Sequence, residues 1–438
     1  MSIPVVTVGQ SREDLVGGLE RLHGPVTVVR RCSELTELLA ACQSGLARAA
    51  VVAEGSDELT ASLVDRLTAV GVVIVALTDS PTETARLTAI GVTVAPAGVD
   101  SAALAGRISG AVAQWARPGS PQAGGSGFAD TGAAIRTLPG EHEEDDVRAE
   151  PAGTGQIISV WGPAGSPGRT MVAANMAGEL AAAGNSVLLV DADSYGASVA
   201  GLLGLLDESA GLAQACRLAD LGQLDAGALL KVATPVALKS GTLRVLTGIT
   251  RADRWTELRA SALGVVFEKA REVADYVVVD TGFCLEADEE LSFDTMAPRR
   301  NAATLRSLEV ADTVYAVGSA DSIGVPRLVR GLSELEAAVP QASPRVILNK
   351  VRASAAGRFP ERQLRDAWER YGPAEGIAAF LPSDAAASDA ALLSGSLLLE
   401  TAPESGLRLA IAKLVCAPVQ QKRRSSMFSS TAKRHLKG

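Results

Sequence analysis

The residues best equipped for chemistry begin in one strand–loop–helix. Ile157-Ile158-Ser159-Val160-Trp161 leads into Gly162-Pro163-Ala164-Gly165-Ser166-Pro167-Gly168-Arg169-Thr170, and an alanine-rich run starts at Met171. A β-branched strand, a glycine-bearing turn and a helix start are the parts of a phosphate cradle. The turn lets backbone N–H groups converge, and the helix adds the positive end of its dipole. The usual P-loop places a lysine after its last glycine; here Arg169 stands in that position. Four further features follow in order. Leu188-Leu189-Val190-Asp191-Ala192-Asp193 sets two acids at the end of an apolar run. Val277-Val278-Val279-Asp280-Thr281 has the form of a Walker B strand, whose carboxylate holds the shell of a magnesium ion. Val346-Ile347-Leu348-Asn349-Lys350 ends in an amide able to pair with a base edge, and Leu381-Pro382-Ser383-Asp384 offers a rigid loop to cover a purine. Each alone also reads as ordinary structure: an aspartate ending a strand is often a helix cap, and Asn349 suits a turn. Five such features in this order and spacing are hard to obtain by chance.

These side chains need a scaffold, and the composition points to one. Of the 438 residues, 47% are hydrophobic but only 3% aromatic, so Ala, Val, Leu and Gly carry the apolar load. That suits helices packed closely on a buried parallel sheet. From 155 to about 418, strands are expected at 156–161, 186–190, 243–246, 276–279, 313–317, 345–348 and near 378–380, with helices between them. Seven strands so connected fit a parallel sheet covered on both faces, with ligand at the strand C-terminal ends. Residues 1–116 repeat the alternation on a smaller scale. Short β-branched runs at 5–8, 26–29, 50–53, 72–77 and 92–95 alternate with amphipathic segments at 33–44, 58–70, 81–90 and 100–115. The expected fold class is therefore α/β, with two doubly wound parallel-sheet domains joined by a flexible linker. The expected boundaries are 1–116, a linker at 117–155, 156–418, and a basic tail at 419–438.

The linker is rich in Pro, Gly, Ser and Ala and carries the acidic run Glu141, Glu143, Glu144, Asp145 and Asp146. It has too little apolar surface to offset chain ordering. The net charge of −9 argues against a protein that coats nucleic acid, but it hides an asymmetry. The stretch 420–438 holds six Lys/Arg and no Asp/Glu, leaving −15 for the rest. Five scattered cysteines form no C-x-x-C pair, and only three histidines are present, so buried free thiols are favoured over metal ligation. No apolar run reaches the roughly 18 residues of a spanning helix. The segment Met1-Ser2-Ile3-Pro4 lacks the marks of a signal peptide, so a cytoplasmic location is expected.

Residues 155–418 resemble the MinD/ParA family of deviant Walker A ATPases, whose phosphate loop reads Lys-Gly-Gly-x-Gly-Lys-Thr. On this chain those positions are Ala164, Gly165, Ser166, Pro167, Gly168, Arg169 and Thr170. The resemblance implies ATP and Mg2+ as cofactors, with Gly165, Ser166, Gly168, Arg169, Thr170 and Met171 around the phosphates. It implies Asn349 and Pro382 at the adenine, Thr170 and Asp280 at the metal, and Asp193 positioning the attacking water. The first 116 residues are similar to the receiver domain of two-component regulators, without its acid pair, phosphoacceptor or lysine; a generic α/β domain is the alternative. Together the halves resemble the CpaE/TadZ branch, which positions pilus-assembly machinery. Two departures stand out. The signature lysine, which in the family reaches the partner's nucleotide, is Ala164, and the P-loop lysine is Arg169. Arginine is longer, planar and forked, so this exchange is not conservative.

The expected function is a nucleotide-dependent, dimerising spatial regulator with weak or absent hydrolysis, docking a partner through its N-terminal domain. The alternatives are an active ATPase in chromosome partitioning or septum-site placement, and a scaffold that binds no nucleotide. In the active case Arg299 or Arg300 would supply the missing cation. The basic tail suits weak membrane or polyanion contact, peripheral at the inner face of the membrane or the cell pole. Specific DNA binding is not expected.

Overall fold

The protein is described by a computed structural model, in which residues 2–9, 15–22, 24–53, 55–115, 155–205, 210–239, 241–287 and 299–416 are placed. The expected linker, apart from Gly155, and the expected tail lie outside the described residues, as do Gln10, Ser11 and Glu54.

The first sheet comprises β1 (Ile3–Val8), β2 (Val26–Cys32), β3 (Ala49–Val52), β4 (Val73–Leu77) and β5 (Thr93–Ala95). All pairings are parallel and the order is β2-β1-β3-β4-β5, the flavodoxin-type doubly wound arrangement. The central strand β3 is buried along its whole length, as a sheet covered on both faces requires. Helices start where the sequence supplies caps. Thr60 accepts from the backbone N–H of Leu63 before the helix Ala61–Ala69, and Ser80 does so for Glu83 before Pro81–Ala89, with Pro81 in the first turn.

The second sheet contains β6 (Gln156–Trp161), β7 (Val187–Ala192), β8 (Thr234–Ala237), β9 (Thr242–Leu246), β10 (Tyr276–Thr281), β11 (Thr313–Ser319), β12 (Pro344–Val351) and β13 (Ile377–Pro382). Its order is β13-β12-β11-β6-β10-β7-β9-β8. The seven expected strands are all present and parallel. The eighth, β8, was not anticipated: it pairs antiparallel with β9 at the sheet edge. Pro235 within it cannot donate to a ladder, which an edge position tolerates. Strand order reverses between β6 and β11, so the loops after these two strands flank the crevice where a doubly wound sheet binds its ligand.

The helix Arg169–Ala182 is buried without interruption from Val172 to Ala181. It lies between the sheet and the C-terminal helices Leu398–Thr401 and Gly406–Cys416, whose apolar residues share its core. Its alanines allow the close approach. Its two buried polar side chains are both satisfied: Asn175 Oδ1 accepts from Leu398 N at 2.8 Å, and Glu179 takes a two-bond fork from Arg408 at 2.6 and 2.8 Å. Helices Gly211–Asp220 and Ala260–Val273 cover the opposite face together with Gly324–Ala338. The N-terminal domain meets this face. Ser62 donates to Asp220 Oδ1 through its backbone N (2.8 Å) and its hydroxyl (2.5 Å), and Arg86 Nη1 donates to Leu221 O at 3.3 Å.

Candidate functional site

The loop between β6 and the helix Arg169–Ala182 is held at both ends. Trp161 closes β6, and its indole N–H donates to Phe283 O at 3.2 Å, tying the loop's start to the segment after β10. At the other end Gly168 caps the helix in a left-handed conformation (φ 95°), with no side chain capping the first turn. Glycine is required there: a β-carbon would stand 2.6 Å from Asn349 Nδ2. The first turn carries no acid, so its backbone N–H groups and the helix dipole face the crevice uncompensated.

Arg169 folds back over its own loop. Nη1 donates to Gly162 O at 2.9 Å and Pro163 O at 3.3 Å, and Nη2 pairs with Asp193 Oδ2 at 3.3 Å. The pair is 12% and 9% exposed at the side chains. The other Asp193 oxygen, Oδ1, accepts from Tyr195 N and Gly196 N at 2.8 and 3.1 Å. Asp193 is therefore fully engaged by the protein.

Asp191 and Asp280 differ from it and from each other. Asp191 Oδ2 caps the short helix Val199–Leu202, accepting from Ser198 N and Val199 N at 2.9 and 3.0 Å. Burial pushes its carboxyl up to about 6, against the pull of those backbone N–H groups. Asp280, at the end of β10, is 1% exposed, and neither oxygen has a hydrogen-bond donor. Burial, with Asp191 beside it, holds its carboxyl well above the usual range; Thr170 and Arg169 pull the other way. A buried carboxylate without donors is the acceptor that a cation would satisfy. The Thr170 hydroxyl lies beside Asp280, close enough to draw its carboxyl down, and also approaches Ser198 Oγ at 3.4 Å. These oxygen donors fit Mg2+.

Asn349, 6% exposed, uses both ends of its amide within the chain: Nδ2 donates to Pro167 O and Oδ1 accepts from Lys350 N, each at 2.8 Å. In this structure it braces the loop, and a base edge would have to displace one of those bonds. Lys350 Nζ donates to Ser166 O at 2.7 Å. Ser166 (φ 51°) and Lys350 (φ 59°) are the non-glycine residues with left-handed backbone among those described. Lys350 sits where the β12–β13 register slips between Leu348 and Val351, so a bulge turns its side chain onto the loop. Pro382 ends β13 opposite Val351, half-buried, and Met171 accepts from Asn175 through its carbonyl and sulfur.

The structure thus brings Gly165, Ser166, Gly168, Arg169, Thr170, Asp193 and Asp280 around one loop, with Asn349 touching it from β12. Arg300 stacks beside the group: its guanidinium lies 4.0 Å over the ring of Tyr195, whose backbone N–H bonds Asp193 and whose hydroxyl bonds Asn301 Oδ1. Arg299 is exposed. The acidic run after Cys284 lies largely outside the described residues. Two contributors were not singled out from the sequence. Lys350 was in view only as the end of a strand. Arg327, in the helix after β11, had no sequence signal at all; its Nη1 lies 2.6 Å from where a β-carbon on Gly165 would be.

The second domain is similar to proteins of one nucleotide-binding family. The family model described as the CobQ/CobB/MinD/ParA nucleotide binding domain matches residues 158–394, more than half of the chain. Among solved structures, a ParA family ATPase from Chlorobium tepidum TLS is 20% identical, with 59% of this chain and 98% of that chain covered and a TM-score of 0.49. The cell division ATPase MinD of Pyrococcus furiosus is 20% identical, with coverage of 60% and 97% and a TM-score of 0.46. The septum site-determining protein MinD of Pyrococcus horikoshii OT3, solved with Mg-ADP, is 19% identical, with coverage of 60% and 94% and a TM-score of 0.46. No curated protein matches the chain.

Proposed function

The chain belongs to the CobQ/CobB/MinD/ParA nucleotide-binding family, and from that premise we propose that it is an ATP-dependent, dimerising spatial regulator that holds its nucleotide far longer than it takes to bind it. Gly165, Ser166, Gly168, Arg169, Thr170 and Met171 surround the phosphates, Thr170 and Asp280 hold Mg2+, and Asn349 and Pro382 lie at the adenine. The bound metal would neutralise phosphate charge and polarise the terminal phosphoryl group.

The observation that carries slow hydrolysis is the Arg169–Asp193 pair. The acid proposed to orient water has one oxygen on a guanidinium and the other on two backbone N–H groups. Ala164 supplies no cation. A single electrostatic stabiliser of a transition state is commonly worth about 3–4 kcal/mol, so its loss slows turnover by two to three orders of magnitude. Binding depends less on it, because the uncapped helix start and Asp280 remain.

The N-terminal domain, with its β2-β1-β3-β4-β5 sheet, is proposed as a pseudo-receiver that docks a protein partner, and the machine positioned is a pilus or secretion apparatus. No described helix is long and apolar enough to cross a membrane; peripheral attachment at the inner face of the membrane or the cell pole belongs to the proposal, with the basic tail as contact. The test is binding of a non-hydrolysable ATP analogue followed together with sedimentation, comparing the parent with Arg169→Ala. Tight, Arg169-dependent binding with a monomer-to-dimer shift and negligible steady-state turnover supports the reading. Turnover abolished by Asp193→Ala would make the chain an active ATPase, and no binding would leave a scaffold.

A further inference from the structure

Three cations surround the phosphate loop, and two of them are already taken. Arg169 is bonded to Gly162 O, Pro163 O and Asp193, and Lys350 to Ser166 O. Arg327 is different. It is exposed, in the first turn of the helix Gly324–Ala338, and no side-chain hydrogen bond or ion pair among the described residues engages its guanidinium. Yet it is aimed at the loop, with Nη1 occupying the space a side chain at residue 165 would fill.

Between this arginine and the loop is a cavity of about 190 Å³. Its walls are the loop residues Pro163, Ala164 and Gly165 and the turn after β11, the two segments that flank the reversal of strand order. One acid, Asp321, lies in the wall, but its oxygens are already bonded. Oδ1 accepts from Ile323 N and Gly324 N at 3.0 and 2.7 Å, and Oδ2 from Ser319 Oγ at 2.7 Å. Arg327 therefore presents an unclaimed, planar, permanently charged fork to a phosphoryl-sized space.

The position within the loop indicates which phosphoryl group it meets. A polyphosphate seated on the backbone N–H groups at 169–171 has its far end at the loop's first half. That is where Arg169 and Asp193 lie, and Arg327 overhangs it from the other side. We infer that Arg327, reaching over Gly165 from the helix after β11, recognises the terminal phosphoryl group of a nucleoside triphosphate and distinguishes it from the diphosphate. This rests on the nucleotide reading proposed above.

The experiment is calorimetric titration of the full chain, with Mg2+, by a non-hydrolysable ATP analogue and separately by ADP. The variants are Arg327→Ala and Arg327→Lys, with circular dichroism confirming that each is folded. The parent is expected to prefer the triphosphate. Arg327→Ala should weaken analogue binding roughly tenfold or more, as expected for a lost charge-assisted hydrogen bond, and leave ADP affinity at the parent's value. Arg327→Lys, which keeps the charge, should recover part of the preference. An unchanged ratio of analogue to ADP affinity in Arg327→Ala, whether both fall together or neither moves, overturns the inference and leaves nucleotide binding intact. Failure of the parent to bind either nucleotide overturns the inference together with the reading beneath it.

Discussion

Replacing Asp280 with asparagine is expected to stabilise the ligand-free protein while abolishing its hold on a magnesium–nucleotide complex. Neither oxygen of this buried carboxyl has a donor, so folding drives it toward the protonated form. Burial is the largest cause, reinforced by Asp191 and opposed by Thr170 and Arg169. Placing a proton on a carboxyl whose ordinary value is 3.8 costs roughly 4 kcal/mol at neutral pH, at about 1.4 kcal/mol per pH unit. That is the ceiling of the gain, because asparagine has the same shape and is already neutral. The sign follows from linkage. The folded state binds more protons than the unfolded chain, so the parent's stability is intact below the ordinary carboxyl range and is lost as pH rises from there toward the raised folded value. The variant lacks that loss. The assay is thermal unfolding, followed by circular dichroism at acidic and neutral pH, without nucleotide or magnesium. The variant's advantage should be negligible in acid and grow as pH rises, up to that ceiling at neutral pH, each kcal/mol amounting to about 2–4 °C in midpoint for a domain of this size. Adding Mg2+ with an ATP analogue should raise the parent's midpoint and leave the variant's unmoved. A variant less stable than the parent at neutral pH, or an advantage that ignores pH, refutes the reasoning.

Arg408→Ala leaves Glu179 buried without its partner and should cost about 3 kcal/mol, the lower end for a broken buried pair because Arg408 is partly exposed; the urea midpoint measures it, and a loss below about 1 kcal/mol contradicts the clamp. Gly168→Ala forces a β-carbon into left-handed backbone beside Asn349, for an expected cost of about 1–2 kcal/mol, together with a loss of nucleotide affinity measured by the same titration; unchanged stability would mean the loop relaxes freely. Burial pushes the Cys42 thiol up to about 11 and raises Cys216 also, whereas Cys284 is only half-buried. In the native protein mass-spectrometric mapping of alkylation at mildly alkaline pH should therefore find Cys284 modified before Cys42 and Cys216, with Cys42 holding roughly a hundredth of the thiolate of an ordinary cysteine; equal rates would contradict the burial.

Parallel strands were legible because each is a run of β-branched residues buried on both faces, as in Val277-Val278-Val279, and their ends were where the sequence placed its acids. β8 was not, because Thr234–Ala237 alternates between partial and full exposure and contains a proline, so nothing in its composition separates it from a loop. That the loop, Asp193, Asp280 and Asn349 would come together was legible from order and spacing. Its internal wiring was not. That Arg169 would close on Gly162 and Pro163, and Asn349 on Pro167, depends on side-chain directions fixed only when β6, β7 and β12 are assembled. Asp191 and Asp280 look alike in sequence, each an aspartate after an apolar run. The difference between them is a helix start at Ser198 that fills one and not the other. Arg327 lies more than 150 residues from Gly165, and only the sheet's crossing order brings them together.

The bond between Lys350 and Ser166 joins two residues that both hold left-handed backbone. Each such conformation costs about 1–2 kcal/mol for a residue with a side chain, and a single lysine–carbonyl bond repays only part of that. The strand β12 and the loop are therefore fastened at a point where both backbones are strained, so the fold around them, and not the bond alone, must hold the fastening shut.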